Sequence, residues 1–363
     1  MTQKNEPLKN MLNRELLIQL AATIKSVYAP FEEESFIEST IDNTWSDLEL
    51  LARGRQITLN LGKYLPSDYA NAISIIDKVI TKYKGFACFC FPDFVEVYGQ
   101  DEENFDTSIN ALGRYTEYMS SEFAVRPFII KYEEKMMKQM YKWSKDNSEH
   151  LRRLASEGCR PALPWAQALP KYKKDPTPIL PILEELKSDS SLYVRKSVAN
   201  NLNDISKTNP DLVLKIAKEW YGKNDDTDWI VKHACRTLLK KGNPDALMLF
   251  GYGDTTSMQV NDYSLNKKVI NLGEKITFSF TISTEETTKV RLEYGIDYVK
   301  ANGKRNRKIF QISSIILKEN ETKNYTRNHS FEDVSTRKHY LGIHSVTLIV
   351  NGKEHGTLDF ELK

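Results

Sequence analysis

The chain has 363 residues, of which 40% are hydrophobic, so it is long enough for two or three domains with cores of their own. It contains no apolar run near the length of about 18 residues that a membrane helix needs. Its first ten residues also lack the apolar stretch of a signal peptide. We therefore expect a cytoplasmic protein that does not span a membrane.

The formal net charge of +2 hides an uneven distribution of charge along the chain. Residues 1–150 carry a net charge of −6, residues 151–250 a net charge of +5 and residues 251–363 a net charge of +3. A basic segment within a nearly neutral protein is typical of a surface that binds polyanions, but ordinary solvated helix faces have the same composition. The charge distribution alone leaves both interpretations open.

Residues 9 to about 250 have the pattern of one helix after another. Near the start, Leu16, Leu17, Leu20, Ala21 and Ile24 recur three or four residues apart, which predicts a single apolar stripe along a helix. Proline and glycine interrupt this pattern, and they predict breaks between helices. The expected breaks fall at Pro30, Pro66, Gly85, Pro92, residues 161–181, Asn209-Pro210 and Gly242-Asn243-Pro244.

A weak internal repeat runs through the basic middle of the chain. The segment around Arg152 matches the segment around Arg195 at a spacing of 43 residues, and the latter matches the segment around Lys232 at a spacing of 37. A period near 40 with paired helices is typical of HEAT-type repeats, which stack into a curved solenoid. These three residues occupy equivalent positions, so we expect them to form either a basic stripe on one face or a row of ordinary solvated side chains.

The pattern changes after Gly253, where apolar and polar residues alternate in short runs, as from Ile276 to Ile282. Asn351-Gly352 is a strong signal for a two-residue hairpin turn. Several short strands over about 100 residues favour an immunoglobulin-like sandwich. The predicted fold is therefore an all-α HEAT-like repeat solenoid at residues 1–253, followed by a small all-β immunoglobulin-like sandwich at residues 254–363.

Residues 300–308 form a predicted turn of this β domain with five positive charges and no negative charge. Three of the basic residues are Lys304, Arg305 and Arg307. Two interpretations stay open, a solvated hairpin tip and a finger that contacts DNA phosphates.

The segment that is richest in chemistry is SEHLRRLASEGCRPALPW, at residues 148–165. Glu157 lies at the end of a predicted helix, surrounded by Arg152, Arg153 and Arg160, so we expect its carboxylate to stay ionised. Trp165 follows on a loop that two prolines stiffen. A carboxylate beside an aromatic ring can stabilise a cationic sugar, while a structural ion pair with a buried tryptophan is the alternative.

Two further carboxylates are candidates for the same site. Glu122 lies in MSSEFAVRP, about one repeat upstream, and Asp204 ends VRKSVANNLND, where a helix meets a loop. A residue in that last position often only caps a helix. The six histidines and four cysteines show no ligand spacing, so we expect no metal ion and no cofactor.

Three segments resemble the AlkC family of DNA glycosylases, which are relatives of AlkD. They are SEGCRPALPWA, VRKSVANNLNDISK and WIVKHACRTLLKKGNPDAL, and the resemblance covers roughly residues 10–250. The β domain is similar to the immunoglobulin-like extension of one AlkC subgroup. Cys159 and Ala162 depart from the residues common in the family, at positions without evident chemistry.

The resemblance implies an enzyme of base excision repair that hydrolyses the N-glycosidic bond of cationic alkylated bases. The expected substrate is double-stranded DNA that carries chiefly 3-methyladenine, with 3-methylcytosine as a second candidate, and the expected state is a monomer. It also implies roles for the site residues, with Glu157 as the main catalytic carboxylate, Glu122 as the second, Trp165 as the aromatic contact and Asp204 as a weaker candidate. The expected DNA contacts of the helical region are Arg152, Arg160, Arg195, Lys232 and Arg236. In the β domain, the positive charge of residues 300–308 adds Lys304, Arg305 and Arg307.

Two interpretations without catalysis remain open. One is a helical-repeat scaffold that binds a protein partner, which would not need Glu157. The other is a protein that binds damaged DNA and has lost catalysis. Release of methylated bases from alkylated DNA separates both of them from the enzyme.

Overall fold

The computed structural model describes residues 7–334 and 337–363, so part of the polar N-terminal segment, residues 1–6, lies outside the described residues. The chain divides into two compact units. One runs up to Asn209 and includes Tyr221–Ala234, while the other comprises Pro210–Trp220 and Cys235–Lys363. The boundary after residue 253 stays a prediction. Along the described ranges, no helix has both the length and the apolar character needed to cross a membrane.

The described part of the first 250 residues forms sixteen α-helices, some of them joined by short 3-10 turns. The helices are α1 (Arg14–Val27), α2 (Glu33–Thr40), α3 (Leu50–Tyr64), α4 (Tyr69–Ile80), α5 (Cys90–Tyr98), α6 (Phe105–Tyr115), α7 (Val125–Lys131), α8 (Glu133–Trp143), α9 (Glu149–Gly158), α10 (Pro170–Lys174), α11 (Leu180–Glu185), α12 (Leu192–Ile205), α13 (Pro210–Trp220), α14 (Asp225–Ala234), α15 (Arg236–Lys240) and α16 (Pro244–Leu249).

Helix α1 shows how the sequence pattern becomes structure. The Asn13 side chain accepts a hydrogen bond from the backbone N–H of Leu16 at 2.9 Å and so caps the first turn. Leu17, Leu20, Ala21 and Ile24 of the predicted stripe are buried, and Leu16 is half-buried. The expected break at Pro92 is wrong, because this proline lies in the first turn of α5, where the missing N–H disrupts no helical hydrogen bond.

Helices α9, α12 and α14 carry the three matching segments, and α12 packs against both of the others. The hydroxyls of Ser156 and Ser197 lie 2.7 Å apart between α9 and α12. The Asn201 amide donates to the carbonyl oxygen of Ser156 at 2.8 Å. The repeat detected in the sequence therefore corresponds to neighbouring helices in the first unit.

Arg152 and Arg195 make equivalent contacts in consecutive repeats. Each donates through Nη1 to two backbone carbonyl oxygens in the turn before its own helix. Arg152 then pairs with Asp189 at 2.6 Å, and Arg195 pairs with Asp226 at 3.1 Å. These arginines therefore link one repeat to the next. Their predicted role as phosphate contacts stays a prediction, and these existing hydrogen bonds weigh against it.

The C-terminal region is a sandwich of two sheets, with strand orders β1-β3-β6 and β2-β8-β7-β4-β5. The strands are β1 (Met258–Leu265), β2 (Val269–Ile270), β3 (Lys275–Thr284), β4 (Thr288–Val299), β5 (Arg305–Leu317), β6 (Thr322–Ser330), β7 (Gly342–Val350) and β8 (Lys353–Leu362). All the pairings are antiparallel except that of β2 with β8.

The core of the sandwich consists of the alternating residues that the sequence singled out. Phe278 and Phe280 of β3 face Leu292 and Leu348 of the other sheet in one buried cluster. Asn351-Gly352 joins β7 to β8 with φ values of +46° and +78°, as a type I′ turn requires. The predicted fold class, a helical repeat followed by an immunoglobulin-like sandwich, is confirmed.

Candidate active site

A cavity of about 280 Å³ in the first unit brings together three of the predicted catalytic residues, Glu122, Glu157 and Trp165. We call it the Glu157 cavity. Its lining residues come from α9 and from the loops that precede α5, α7 and α10, and they are Phe86, Met119, Ser120, Glu122, Phe123, Glu157, Arg160, Leu163, Pro164 and Trp165.

Glu157 lies in the last turn of α9 and is only 5% exposed. Its Oε1 accepts a hydrogen bond from Nη1 of Arg160 at 2.5 Å and lies 3.5 Å from Nη2 of Arg153. No described residue donates to Oε2. Two guanidinium groups therefore hold the carboxylate in place, and one oxygen is left for a ligand.

Glu122, like Glu157, has one carboxylate oxygen paired within the protein and one without a donor among the described residues. Its Oε2 accepts from the Ser120 hydroxyl at 2.8 Å and is paired with Arg153, while Oε1 has no hydrogen-bond donor among the described residues. Arg153 thus bridges Glu122 and Glu157, and its guanidinium lies 5.1 Å from the centre of the Tyr193 ring. The sequence showed Arg153 four residues from Glu157, at a spacing that pairs side chains on a helix, but gave no sign of its second contact with Glu122.

Asp204 was expected in the same cleft, and the structure places it on the far side of the Arg160 guanidinium from Glu157. The residue is not part of the lining of the Glu157 cavity, and both of its oxygens are occupied. Oδ2 accepts from Nε of Arg160 at 2.9 Å, and Oδ1 accepts from Nζ of Lys207 at 2.8 Å. Asp204 therefore reaches Glu157 only through Arg160, and its catalytic role stays a prediction.

Arg160 was expected to contact DNA, but its guanidinium lies between the carboxylates of Glu157 and Asp204. Its side chain is 8% exposed. Burial lowers the pKa of Arg160, but the two carboxylates outweigh burial and hold this pKa above its usual value. The geometry gives Arg160 the position of a residue that orients Glu157, and a phosphate contact stays an untested prediction.

Trp165 is 70% exposed and has a left-handed backbone with φ of +64°. Arg126 holds the loop that carries it. Before Trp165 in the chain, its guanidinium donates to the carbonyl oxygens of Gly158 at 2.8 Å and Arg160 at 3.0 Å. After Trp165, it donates to the carbonyl oxygen of Gln167 at 2.5 Å. Arg126 is fully buried, and burial lowers its pKa to about 10. The sequence contained no signal for this role, because the contacts join distant segments.

The other predicted DNA contacts are spread over both units. Lys232 is exposed on α14, and Arg236 begins α15. In the β4–β5 hairpin, Arg307 makes a bidentate pair with Asp297 at 2.9 and 2.8 Å and also pairs with Glu354. Arg305 of the same hairpin donates to the Ser345 hydroxyl at 2.6 Å.

Three lysines of the same hairpin lack such partners. The side chains of Lys300, Lys304 and Lys308 are exposed, and no described residue forms a hydrogen bond or an ion pair with them. The predicted finger therefore has three uncompensated positive charges, while carboxylates of neighbouring strands partly neutralise its two arginines.

The Glu157 cavity is suited to stabilise a cation. It has two carboxylates that each keep one oxygen free, and an exposed tryptophan ring can add a cation–π contact. Within residues 7–334 and 337–363, no group of three or more histidine, cysteine, aspartate or glutamate residues is arranged to hold a metal ion.

Two family models match the chain. Residues 118–238 match the family described as "DNA alkylation repair enzyme", and residues 259–363 match the family described as "Uncharacterised protein YhaZ, C-terminal Ig-like domain". The protein YhaZ of Bacillus subtilis (strain 168) is 49% identical over 98% of this chain and 99% of its own length.

A solved structure covers both regions at once. The alkylpurine DNA glycosylase AlkC of Pseudomonas fluorescens, bound to DNA containing an abasic site analog, superimposes with a TM-score of 0.94. It is 37% identical and covers 98% of this chain and 99% of its own. The chain belongs to the AlkC family. Membership confirms the resemblance of the three helical segments and of the C-terminal extension, and it assigns the protein to DNA alkylation repair.

Proposed function

We propose that this AlkC-family protein is a DNA glycosylase that removes cationic N-alkylated bases, chiefly 3-methyladenine and also 3-methylcytosine. The observation that carries the proposal is the presence of Glu122, Glu157 and Trp165 around one cavity of a chain that belongs to this family. The AlkC structure with an abasic-site analog supports DNA as the partner, and we propose that this DNA is double-stranded.

An alkylated base already carries a positive charge, so the enzyme does not need to protonate it before the bond breaks. The C1′–N bond cleaves with its electron pair going to the base, which becomes neutral, and the sugar becomes oxocarbenium-like. Glu157, held by Arg153 and Arg160, supplies fixed negative charge beside this sugar. Because the carboxylate is already oriented, little reorganisation is needed as the positive charge develops.

The free oxygen of Glu122 or Glu157 accepts a hydrogen bond from the attacking water. The water oxygen adds to C1′, and its proton leaves through the carboxylate to solvent. Trp165 contributes its exposed ring to the cationic lesion or sugar.

We propose that the protein acts as a monomer in the cytoplasm and contacts the DNA backbone through basic side chains. Lys232 and the three exposed lysines of the β4–β5 hairpin are the contacts that the geometry favours. Such contacts fix the position of the protein on DNA without reading its sequence.

The test is release of methylated bases from methylated double-stranded DNA by purified protein. We expect Glu157→Gln to lower the single-turnover excision rate by roughly 100-fold or more while DNA binding is retained. Glu103→Gln changes an exposed glutamate on the α5–α6 connection and serves as the matched control. No release by the wild-type protein would exclude the glycosylase and leave a damage-binding or scaffold protein. An unchanged rate for Glu157→Gln would refute the role of that residue.

A further inference from the structure

The Trp165 side chain lines a groove of about 470 Å³ in addition to the Glu157 cavity. The other walls of this groove come from the N-terminal 3-10 turn (Leu8–Met11), with the residue before it, and from the start of α3. They are Pro7, Leu8, Lys9, Glu49, Leu50 and Leu51. We call it the Leu8 groove.

The surface of the Leu8 groove is apolar and carries no net charge. Leu8 is 51% exposed and Trp165 is 70% exposed, while Leu51 is half-buried between them in the lining. The two charged residues of the lining, Lys9 and Glu49, pair with each other at 2.9 Å. Contiguous exposed apolar surface is typical of an interaction site. The groove therefore favours an uncharged, apolar partner surface over a phosphate.

The turn that carries Leu8 is anchored to α3. Arg53 of this helix is 7% exposed, and its Nη1 donates to the carbonyl oxygen of Lys9 at 2.9 Å and to that of Leu12 at 3.2 Å. The same guanidinium lies 5.0 Å from the centre of the Trp45 ring. Because a buried arginine holds the backbone on both sides of the turn, a partner that contacts Leu8 has little backbone to order.

The shared Trp165 ring indicates which partner the groove meets. In the proposed function this ring contacts the alkylated nucleotide, and successive nucleotides of one strand are only about 3.4 Å apart along the helix axis. A groove that begins at Trp165 is therefore within reach of the neighbouring nucleotides. Phosphates need cationic partners and stacked bases cover one another, so the deoxyribose is the apolar part of the backbone that the groove can contact.

We propose that Leu8 and Leu51 pack against the deoxyribose rings of the nucleotides that flank the lesion. This inference rests on the proposed function, which places the lesion at the Glu157 cavity. The Trp165 ring then lies between the lesion and the neighbouring sugar, and no base has to enter the groove. An apolar contact of this kind adds affinity and fixes the position of the lesion without releasing counterions from the DNA.

The first experiment measures alkylation of an engineered cysteine by a maleimide, with and without DNA. The four native cysteines are buried, so a thiol introduced at the exposed position of Leu8 should react before them. We expect a duplex that contains an abasic-site analog to slow the alkylation of Leu8→Cys at least tenfold. Ile18→Cys is the matched control, because Ile18 is 50% exposed on α1 and lines neither the groove nor the Glu157 cavity. DNA should leave its rate unchanged.

The second experiment measures affinity for the same duplex at several salt concentrations. Leu8→Ser removes apolar surface and changes no charge, so we expect the affinity to fall about fivefold. The slope of log affinity against log salt should equal that of the wild-type protein. A reduced slope would indicate that the groove contacts a phosphate, and it would overturn the proposed sugar contact.

The outcomes separate this inference from the glycosylase itself. Equal alkylation of Leu8→Cys with and without DNA, in a protein that excises methylated bases, would overturn the inference and leave the glycosylase intact. Protection by DNA in a protein that excises nothing would refute the glycosylase and retain the DNA contact. Alkylation that slows without DNA as the protein concentration rises would assign the groove to a second copy of the chain and would also overturn the inference.

Discussion

The guanidinium of Arg160 links Glu157 to Asp204, with Nη1 2.5 Å from Oε1 of Glu157 and Nε 2.9 Å from Oδ2 of Asp204. Asp204 is held in turn by Lys207. The orientation of the Glu157 carboxylate therefore depends on a chain of charged groups that starts outside the Glu157 cavity.

Arg160→Met removes this link. We expect the single-turnover excision rate to fall at least tenfold, because Glu157 loses its closest partner. Since breaking a buried ion pair costs about 3–5 kcal/mol, the free energy of unfolding should fall by about 3 kcal/mol. Lys207→Met serves as the comparison, because it leaves the Arg160–Glu157 contact in place. A phosphate contact predicts a different result, with weaker DNA binding and an unchanged rate for bound substrate.

Arg126→Met tests whether the Trp165 loop has to be held rigidly. Three carbonyl oxygens lose their donor, so we expect the loop to become mobile and the free energy of unfolding to fall by more than about 2 kcal/mol. The fluorescence anisotropy of Trp165, measured with the other tryptophans replaced by phenylalanine, should decrease. If Arg126 acts by positioning Trp165, the double variant with Arg126→Met and Trp165→Ala should excise bases almost as fast as Trp165→Ala alone. Fully additive losses would contradict it.

Arg152→Leu separates a structural role from DNA binding. The Arg152 side chain is 17% exposed and is paired with Asp189, so we expect a loss of about 2 kcal/mol in the free energy of unfolding. The dependence of DNA affinity on salt should stay unchanged, because this guanidinium is already occupied. Salt titration of DNA binding provides the measurement, and a slope reduced by about one would instead support a phosphate contact.

The triple variant Lys300→Ala, Lys304→Ala, Lys308→Ala tests the β-domain finger. Each phosphate contact contributes about 0.9 to the slope of log affinity against log salt, so we expect the slope to fall by about one to three. Lys318→Ala, which removes an exposed lysine elsewhere in the domain, is expected to change little. An unchanged slope in the triple variant would mean that the hairpin does not contact phosphates.

His329 makes the stability of the β domain dependent on pH. Its ring lies between the hydroxyls of Tyr294 and Tyr298, and burial, with smaller contributions from Arg337 and His339, lowers its pKa to about 4 from 6.5. The unfolded state protonates His329 near pH 6.5, whereas the folded state protonates it only near pH 4. The free energy of unfolding is therefore highest above about pH 6.5 and decreases as the pH falls toward 4. The shift corresponds to about 3 kcal/mol.

The measurement is hydrogen exchange of the β-domain amides between pH 4 and pH 7, corrected for the intrinsic rate. His329→Gln is expected to flatten the pH dependence, whereas His150→Gln in the helical region is expected to preserve it. A β domain whose stability does not change with pH would contradict the predicted role of His329.

The sequence alone predicted the parts of the site that belong to one continuous segment. Glu157 and Trp165 lie eight residues apart, and the helix end and stiff loop around them were visible in the residue pattern. Arg153 was visible as a basic neighbour of Glu157, but its contact with Glu122 joins residues 31 positions apart and was not visible in the pattern. The role of Arg126 could not be predicted from the sequence, because its hydrogen-bond acceptors lie 32 to 41 residues further along the chain.

What the sequence determined by itself is the order and type of the elements, because apolar periodicity and turn residues act locally. It also singled out Glu122, Glu157 and Trp165, which line one cavity in the structure. Only the tertiary structure decided which side chains are available. Packing of the helices placed Arg152, Arg160 and Arg195 against carboxylates, although their charge alone suggested DNA contacts. A charge buried by folding must find a partner within the protein, and a sequence does not show which charges will be buried.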